Sequence, residues 1–128
     1  MKFDVELLGV TPPKFSSVDS KGLAALMARG VPLIDIRRPE EWKQTGVVKG
    51  SHLLTAFDDH GRLEPGFHEK FSAIVKDPSQ EFAMICRTGS RTGFLSYFLS
   101  EKAGYTKVYS VSHGIEQWIA DKQPVVRP

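Results

Sequence analysis

Cys86 is the only cysteine in the chain, and it ends an apolar run, Phe82-Ala83-Met84-Ile85, that gives way at once to Arg87-Thr88-Gly89-Ser90-Arg91-Thr92-Gly93. This pattern predicts a buried strand delivering a thiol into a tightly curved polar loop. Phe94, Leu95, Phe98 and Leu99 then recur at helical spacing, so the loop also forms a helix N-terminus, whose free N–H groups point toward the space above the cysteine. Thiols react as thiolates, and a helix N-terminus flanked by two guanidinium groups is an electropositive setting of the kind that favours one. Cys86 is therefore read as a nucleophile. The plainer reading is an inert, buried cysteine at a strand end. Two charges and a permissive glycine beside it argue instead for an exposed, ligand-facing turn.

Alternating elements predict how this loop is held. Residues 1–16, with Thr11-Pro12-Pro13, read as an extended lead-in with a short edge strand near Lys14 to Ser16. From Ser17, taken as an N-cap, a helix carries Val18, Leu23, Leu26 and Met27 on one side and stops at Gly30. Leu33-Ile34-Asp35-Ile36 reads as a buried parallel strand with an acid near its carboxyl end, followed by a short helix from Pro39 whose charges are expected to be solvated. A turn and short strand span Gly46 to Leu54, and Asp58-Asp59-His60-Gly61 is an Asx-type turn. Phe67, Phe71, Ile74 and Val75 mark an amphipathic helix within residues 65–76. After the Cys86 loop and its helix, which Gly104 ends, come a strand at residues 107–111 and a helix turning Ile115, Trp118 and Ile119 inward. Residues 123–126 close the chain in extended form. The expected fold is α/β, a mostly parallel sheet of about five strands with helices on both faces, in one domain over residues 17–128.

In such sheets ligands bind beyond the carboxyl ends of the strands, where Asp35 and Cys86 can share a rim. Asp35 and Arg37 are expected to brace the loop from behind, and Cys86 to stand at the mouth of a shallow pocket.

Composition narrows the alternatives. With 128 residues, 41% hydrophobic and 25% charged, the chain fits one globular domain that needs neither disulfide nor metal. A net charge of +2 with dispersed basic residues gives no support for nucleic-acid binding. The four histidines, His52, His60, His68 and His113, show no metal-site spacing. His113, before Gly114 in a strand-to-helix turn, is read as a surface residue. No apolar run approaches a membrane span, and the acidic start Met1-Lys2-Phe3-Asp4-Val5-Glu6 does not resemble a secretory leader, so the expected location is the cytoplasm. No cofactor is expected.

Four ordered segments resemble one family. Cys86-Arg87-Thr88-Gly89-Ser90-Arg91-Thr92 resembles the active-site loop of single-domain rhodaneses, Cys-Arg-x-Gly-x-Arg followed by a hydroxyl residue. Leu33 to Arg37 with Glu40-Glu41-Trp42 resembles the family's first signature, Gly104-Tyr105 through Trp118 its second, and Pro124-Val125-Val126 its usual close. Departures occur at Gly46-Val47-Val48 and Gly50-Ser51, and at His113-Gly114, where Gly-Gly is common.

The resemblance implies a sulfurtransferase in which the Cys86 thiolate takes sulfur from thiosulfate or another persulfide and passes it to a thiol, cyanide or protein acceptor. Loop N–H groups from Arg87 to Thr92 would hold the persulfide anion. Gly89 lets the loop curl, Arg87 and Arg91 face the anionic donor, and Thr88, Ser90 and Thr92 donate hydroxyl hydrogen bonds. A cysteine phosphatase or arsenate reductase is the rival chemistry, but its loop resembles Cys, five residues, then Arg. Here Arg91 comes after four, and the sixth position is Thr92. A sulfur-carrier module without turnover is the other alternative.

Overall fold

The computed structural model describes residues 14–128. Among them the order is β1 (Ser16–Val18), α1 (Ser20–Ala28), β2 (Leu33–Asp35), α2 (Pro39–Thr45), β3 (His52–Leu53), α3 (Phe67–Ile74), β4 (Phe82–Ile85), α4 (Ser90–Glu101), β5 (Val108–Val111) and α5 (Gly114–Ala120). The five strands form one sheet in the order β1-β5-β4-β2-β3, with every pairing parallel. The expected α/β sheet is thus present, and β4 lies at its centre.

Side-chain alternation along β4 divides the core. Phe82, Met84 and Cys86 face one side, packing with Phe67 and Phe71 of α3 and Leu95 and Leu99 of α4. Ala83 and Ile85 face the other, against Leu23 and Leu26 of α1 and Ile115 and Trp118 of α5. Burial on both faces is why β2 and β4 read as unbroken apolar runs rather than alternating ones.

Two local expectations are corrected. The first helix begins after Asp19, whose carboxylate accepts the Gly22 N–H at 2.8 Å, and not after Ser17. Ser17 and Val18 belong to β1, because pairing with Ser110 and Val111 satisfies their backbone groups and competes with helix. Ile119 is 41% exposed, whereas Trp118 is buried and its indole N–H donates to the Pro124 carbonyl at 2.9 Å. On α4 only Leu95 and Leu99 of the four apolar residues point inward, beside buried Thr92, Ser96 and Ser100. Phe94 and Phe98 stand outward at 65% and 47% exposure. The lead-in read at residues 1–16 falls, for 1–13, outside the described residues.

Candidate active site

β4 carries the chain up to Cys86, and the Ile36 N–H donates to the Ile85 carbonyl at 3.1 Å, fixing the strand end against β2. The loop then turns back. Gly89, at φ 99°, caps α4 and donates its N–H to Cys86 Sγ at 3.1 Å. Thr92, one turn into α4, sets its hydroxyl 3.6 Å from Sγ and donates it to the Gly89 carbonyl at 3.2 Å. Behind it Ser110 of β5 donates to Thr92 Oγ1 at 2.9 Å. Thr92 and Ser110 are both buried, so these bonds form away from competing water. An N–H aimed at sulfur, with oriented hydroxyls behind it, is complementary to negative charge on that sulfur.

The thiol does not stand at a pocket mouth, as expected from sequence. Cys86 is 0% exposed, because the loop that curls over Sγ also seals it. Arg87, Thr88 and Ser90 take the solvent face.

Two glycines set how closely this loop can be packed. The Ile115 N–H donates to the Cys86 carbonyl at 2.8 Å and the Glu116 N–H to the Arg87 carbonyl at 3.2 Å, so the start of α5 grips the loop's first two peptides. A Cβ on Gly114, at φ +56°, would lie 2.4 Å from the Cys86 oxygen and 2.5 Å from the Arg87 carbonyl. One on Gly89 would lie 2.9 Å from the His113 nitrogen. His113 itself adopts φ 60° with its side chain exposed, which explains why glycine suits that position. Gly114→Ala should lower stability by about 2–4 kcal/mol, combining a left-handed alanine with a clash against unyielding backbone. A urea titration checks this.

The charges around the loop are paired. Arg91 makes a two-pronged contact with Glu41 of α2, Nη2 to Oε1 at 2.7 Å and Nη1 to Oε2 at 2.9 Å. The expectation that the α2 charges are solvated is therefore corrected for Glu41, which also accepts the Arg38 N–H at 3.0 Å. The Arg91 hydrogen bonds, helped by that N–H, hold the Glu41 carboxyl below the ordinary glutamate range, and Glu41 in turn raises Arg91. A depressed carboxyl stabilises the fold fully above the unfolded pKa of about 4.3 and loses that contribution as pH falls through the lower folded value. The melting-temperature gap between wild type and Glu41→Gln should accordingly be constant near neutrality and close as pH drops below about 4. Arg87 Nε bonds Glu116 at 2.9 Å on the exposed rim, where a lone pair contributes little.

Asp35 and Arg37 lie behind this layer. Both are buried, and the Arg37 guanidinium meets Asp35 Oδ2 from Nη2 at 2.8 Å while reaching Thr45 Oγ1 at 2.8 Å and the Gly46 carbonyl at 3.0 Å. They therefore tie β2 to the end of α2, the helix whose Glu41 holds Arg91, and they do not touch the thiol.

Ser90 and Arg91 form one wall of a cleft of about 530 Å³ whose other lining includes Arg38, Phe57, Asp58, Asp59 and Phe94. Glu41, Glu116, Ser110 and Gly114 are site residues that sequence reasoning passed over. A hydroxyl inside the apolar run Val108-Tyr109-Ser110-Val111 was the available signal for Ser110; the acids gave none, being ordinary surface types. Among the described residues no cluster of three metal-ligating side chains occurs, and no helix is long and apolar enough to cross a membrane.

A model of the rhodanese-like domain matches residues 19–121, and the chain belongs to that family. An uncharacterised protein of Rickettsia conorii is 30% identical over 91 residues, 70% of this chain and 73% of its own length. The crystal structure of a rhodanese-related protein from Thermoplasma volcanium superposes with a TM-score of 0.67 at 25% identity, covering 88% of this chain and 99% of its own. A polysulfide-sulfur transferase homodimer from Wolinella succinogenes shares the fold at a TM-score of 0.67 and 20% identity, covering 88% of this chain and 79% of its own.

Proposed function

We propose that this chain is a sulfurtransferase that carries sulfane sulfur as a persulfide on Cys86. The observation that carries the reading is the Gly89 N–H aimed at Sγ from 3.1 Å, at the carboxyl end of the central parallel strand. The Cys86 thiolate attacks the outer sulfur of thiosulfate or of another persulfide, and sulfite or a thiolate leaves with the electron pair of the broken S–S bond. The resulting terminal sulfur is anionic and suits a site built from N–H and hydroxyl donors. A thiol, cyanide or a protein thiol then removes it. Arg87, Thr88, Ser90 and Arg91 form the face through which donor and acceptor arrive. Because Sγ has no accessible surface, this face must open for each transfer. Asp35 and Arg37 act by positioning α2 behind it. The family supports this chemistry, and the Wolinella protein of the same fold is a polysulfide-sulfur transferase.

The test is intact-mass measurement after incubation with thiosulfate and, separately, with an organic persulfide, then with cyanide. Wild type should gain the mass of one sulfur atom, map it to Cys86, and lose it to cyanide with release of thiocyanate. Hydrolysis of an aryl phosphate through Cys86 without sulfur uptake would establish the phosphatase chemistry instead. Sulfur uptake that only a protein partner can discharge would make the chain a carrier.

A further inference from the structure

The carboxylates around the loop bear on which donor it suits. Arg91 is engaged by both oxygens of Glu41 and Arg87 by Glu116. Across the cleft, Arg38 reaches Glu40 and Asp59. Asp58 lines the same cleft, its carboxyl held low by the N–H groups of Arg62 and His60 and therefore ionised. Around the loop and this cleft three guanidinium groups thus meet four carboxylates, with Asp58 a fifth alongside, and each of the three already has a carboxylate partner. The apolar part of the cleft is Phe57 and Phe94, with ring centroids 6.2 Å apart and Phe94 65% exposed.

These charges treat two donor classes differently. Thiosulfate is a dianion that must approach a thiolate and depart as a second dianion, sulfite, so it needs a cation free to follow it. An organic persulfide, R–S–SH, brings one charge at most and leaves as a monoanionic thiolate. Its carbon skeleton also gains from the two phenylalanine faces, which thiosulfate cannot use.

Resting on the sulfurtransferase reading above, we infer that the site is built for an organic persulfide on a carrier of little charge, and that Glu41, by occupying Arg91, sets selectivity against thiosulfate. In the step, the Cys86 thiolate attacks the outer sulfur of R–S–SH. The Sγ–S bond forms as the donor S–S bond breaks, R–S⁻ leaves with the electron pair, and the proton of the transferred sulfur passes to the departing thiolate, leaving the persulfide anion. No outside oxidant or reductant is required.

The experiment measures the second-order rate of sulfur uptake by quenched intact-mass kinetics, using thiosulfate and N-acetylcysteamine persulfide on wild type, Glu41→Gln and Glu116→Gln. Glutamine at 41 can still accept the Arg38 N–H, and circular dichroism verifies the fold. Glu41→Gln should raise the ratio of the thiosulfate rate to the persulfide rate about tenfold. Glu116→Gln, on the exposed rim, should shift the ratio the same way by about twofold. The inference is overturned if wild type takes sulfur faster from thiosulfate. It is equally overturned if Glu41→Gln speeds both donors alike, for then Glu41 restrains the loop rather than compensating charge. Absence of uptake from either donor would remove the sulfurtransferase reading itself.

Discussion

Cys86→Ser should abolish sulfur uptake from every donor while leaving the fold standing. A serine hydroxyl is essentially un-ionised near neutral pH and is a poor nucleophile toward divalent sulfur, so no arrangement of neighbours restores the reaction. The fold survives because the loop and α4 present polar groups to Sγ. The Gly89 N–H, 3.1 Å from sulfur, and the Thr92 hydroxyl, 3.6 Å away, can both hydrogen-bond to a serine oxygen, so the buried hydroxyl is not left unpaired. A cost of about 1–2 kcal/mol is expected from the altered packing and bond lengths. Intact mass after donor treatment and a melting curve read the two halves. Since Cys86 is the only cysteine, sulfur retained by Cys86→Ser would mean that no thiol persulfide carries it.

That separation of chemistry from packing also marks what the chain discloses before it is folded. The positions of the strands and helix ends along the chain follow from buried runs such as Leu33-Ile34 and Phe82 to Ile85, and from glycines that end helices, because hydrophobic burial and backbone sterics act locally. Cys86 and its loop were visible for the same reason: an apolar strand that stops at a thiol and continues as Arg-Thr-Gly-Ser-Arg is a local anomaly. Glu41 was not. It looks like any acid in the first turn of a helix, and its pairing with Arg91 spans 50 residues of sequence, a relation set by how α2 and α4 meet across the sheet end. The sealing of Sγ was missed as well, since loop composition predicts exposure of side chains but not the direction in which the backbone closes. The outward turn of Phe94 and Phe98 has a similar origin. Helical spacing alone could not choose between them and Thr92, Ser96 and Ser100, and the small residues let α4 approach the sheet.

Arg37 shows how far the support of the site extends behind the thiol, and Arg37→Ala should be the most destabilising single change in the site, at about 3–5 kcal/mol. The guanidinium is 1% exposed, and it spends its donors on Asp35, Thr45 and Gly46, with a longer contact to the Glu41 carbonyl. Alanine leaves the Asp35 carboxylate buried, with only the residue-37 backbone N–H, at 3.1 Å, still directed at it. It also frees the end of α2, so Glu41 loses its fixed position relative to Arg91. Lysine should rescue little, because a single ammonium cannot span a carboxylate, a hydroxyl and a carbonyl at once. The double variant Asp35→Leu with Arg37→Met removes both charges and should recover most of the loss, as apolar replacements of buried ion pairs commonly do. Against a typical domain stability of about 5–15 kcal/mol, Arg37→Ala leaves enough folded protein for urea titration. A loss below about 1 kcal/mol would show that water reaches the Asp35 carboxylate, and the bracing role would fall; a loss that the double variant does not recover would show that the hydrogen bonds to Thr45 and Gly46, rather than the charge on Asp35, hold α2 in place.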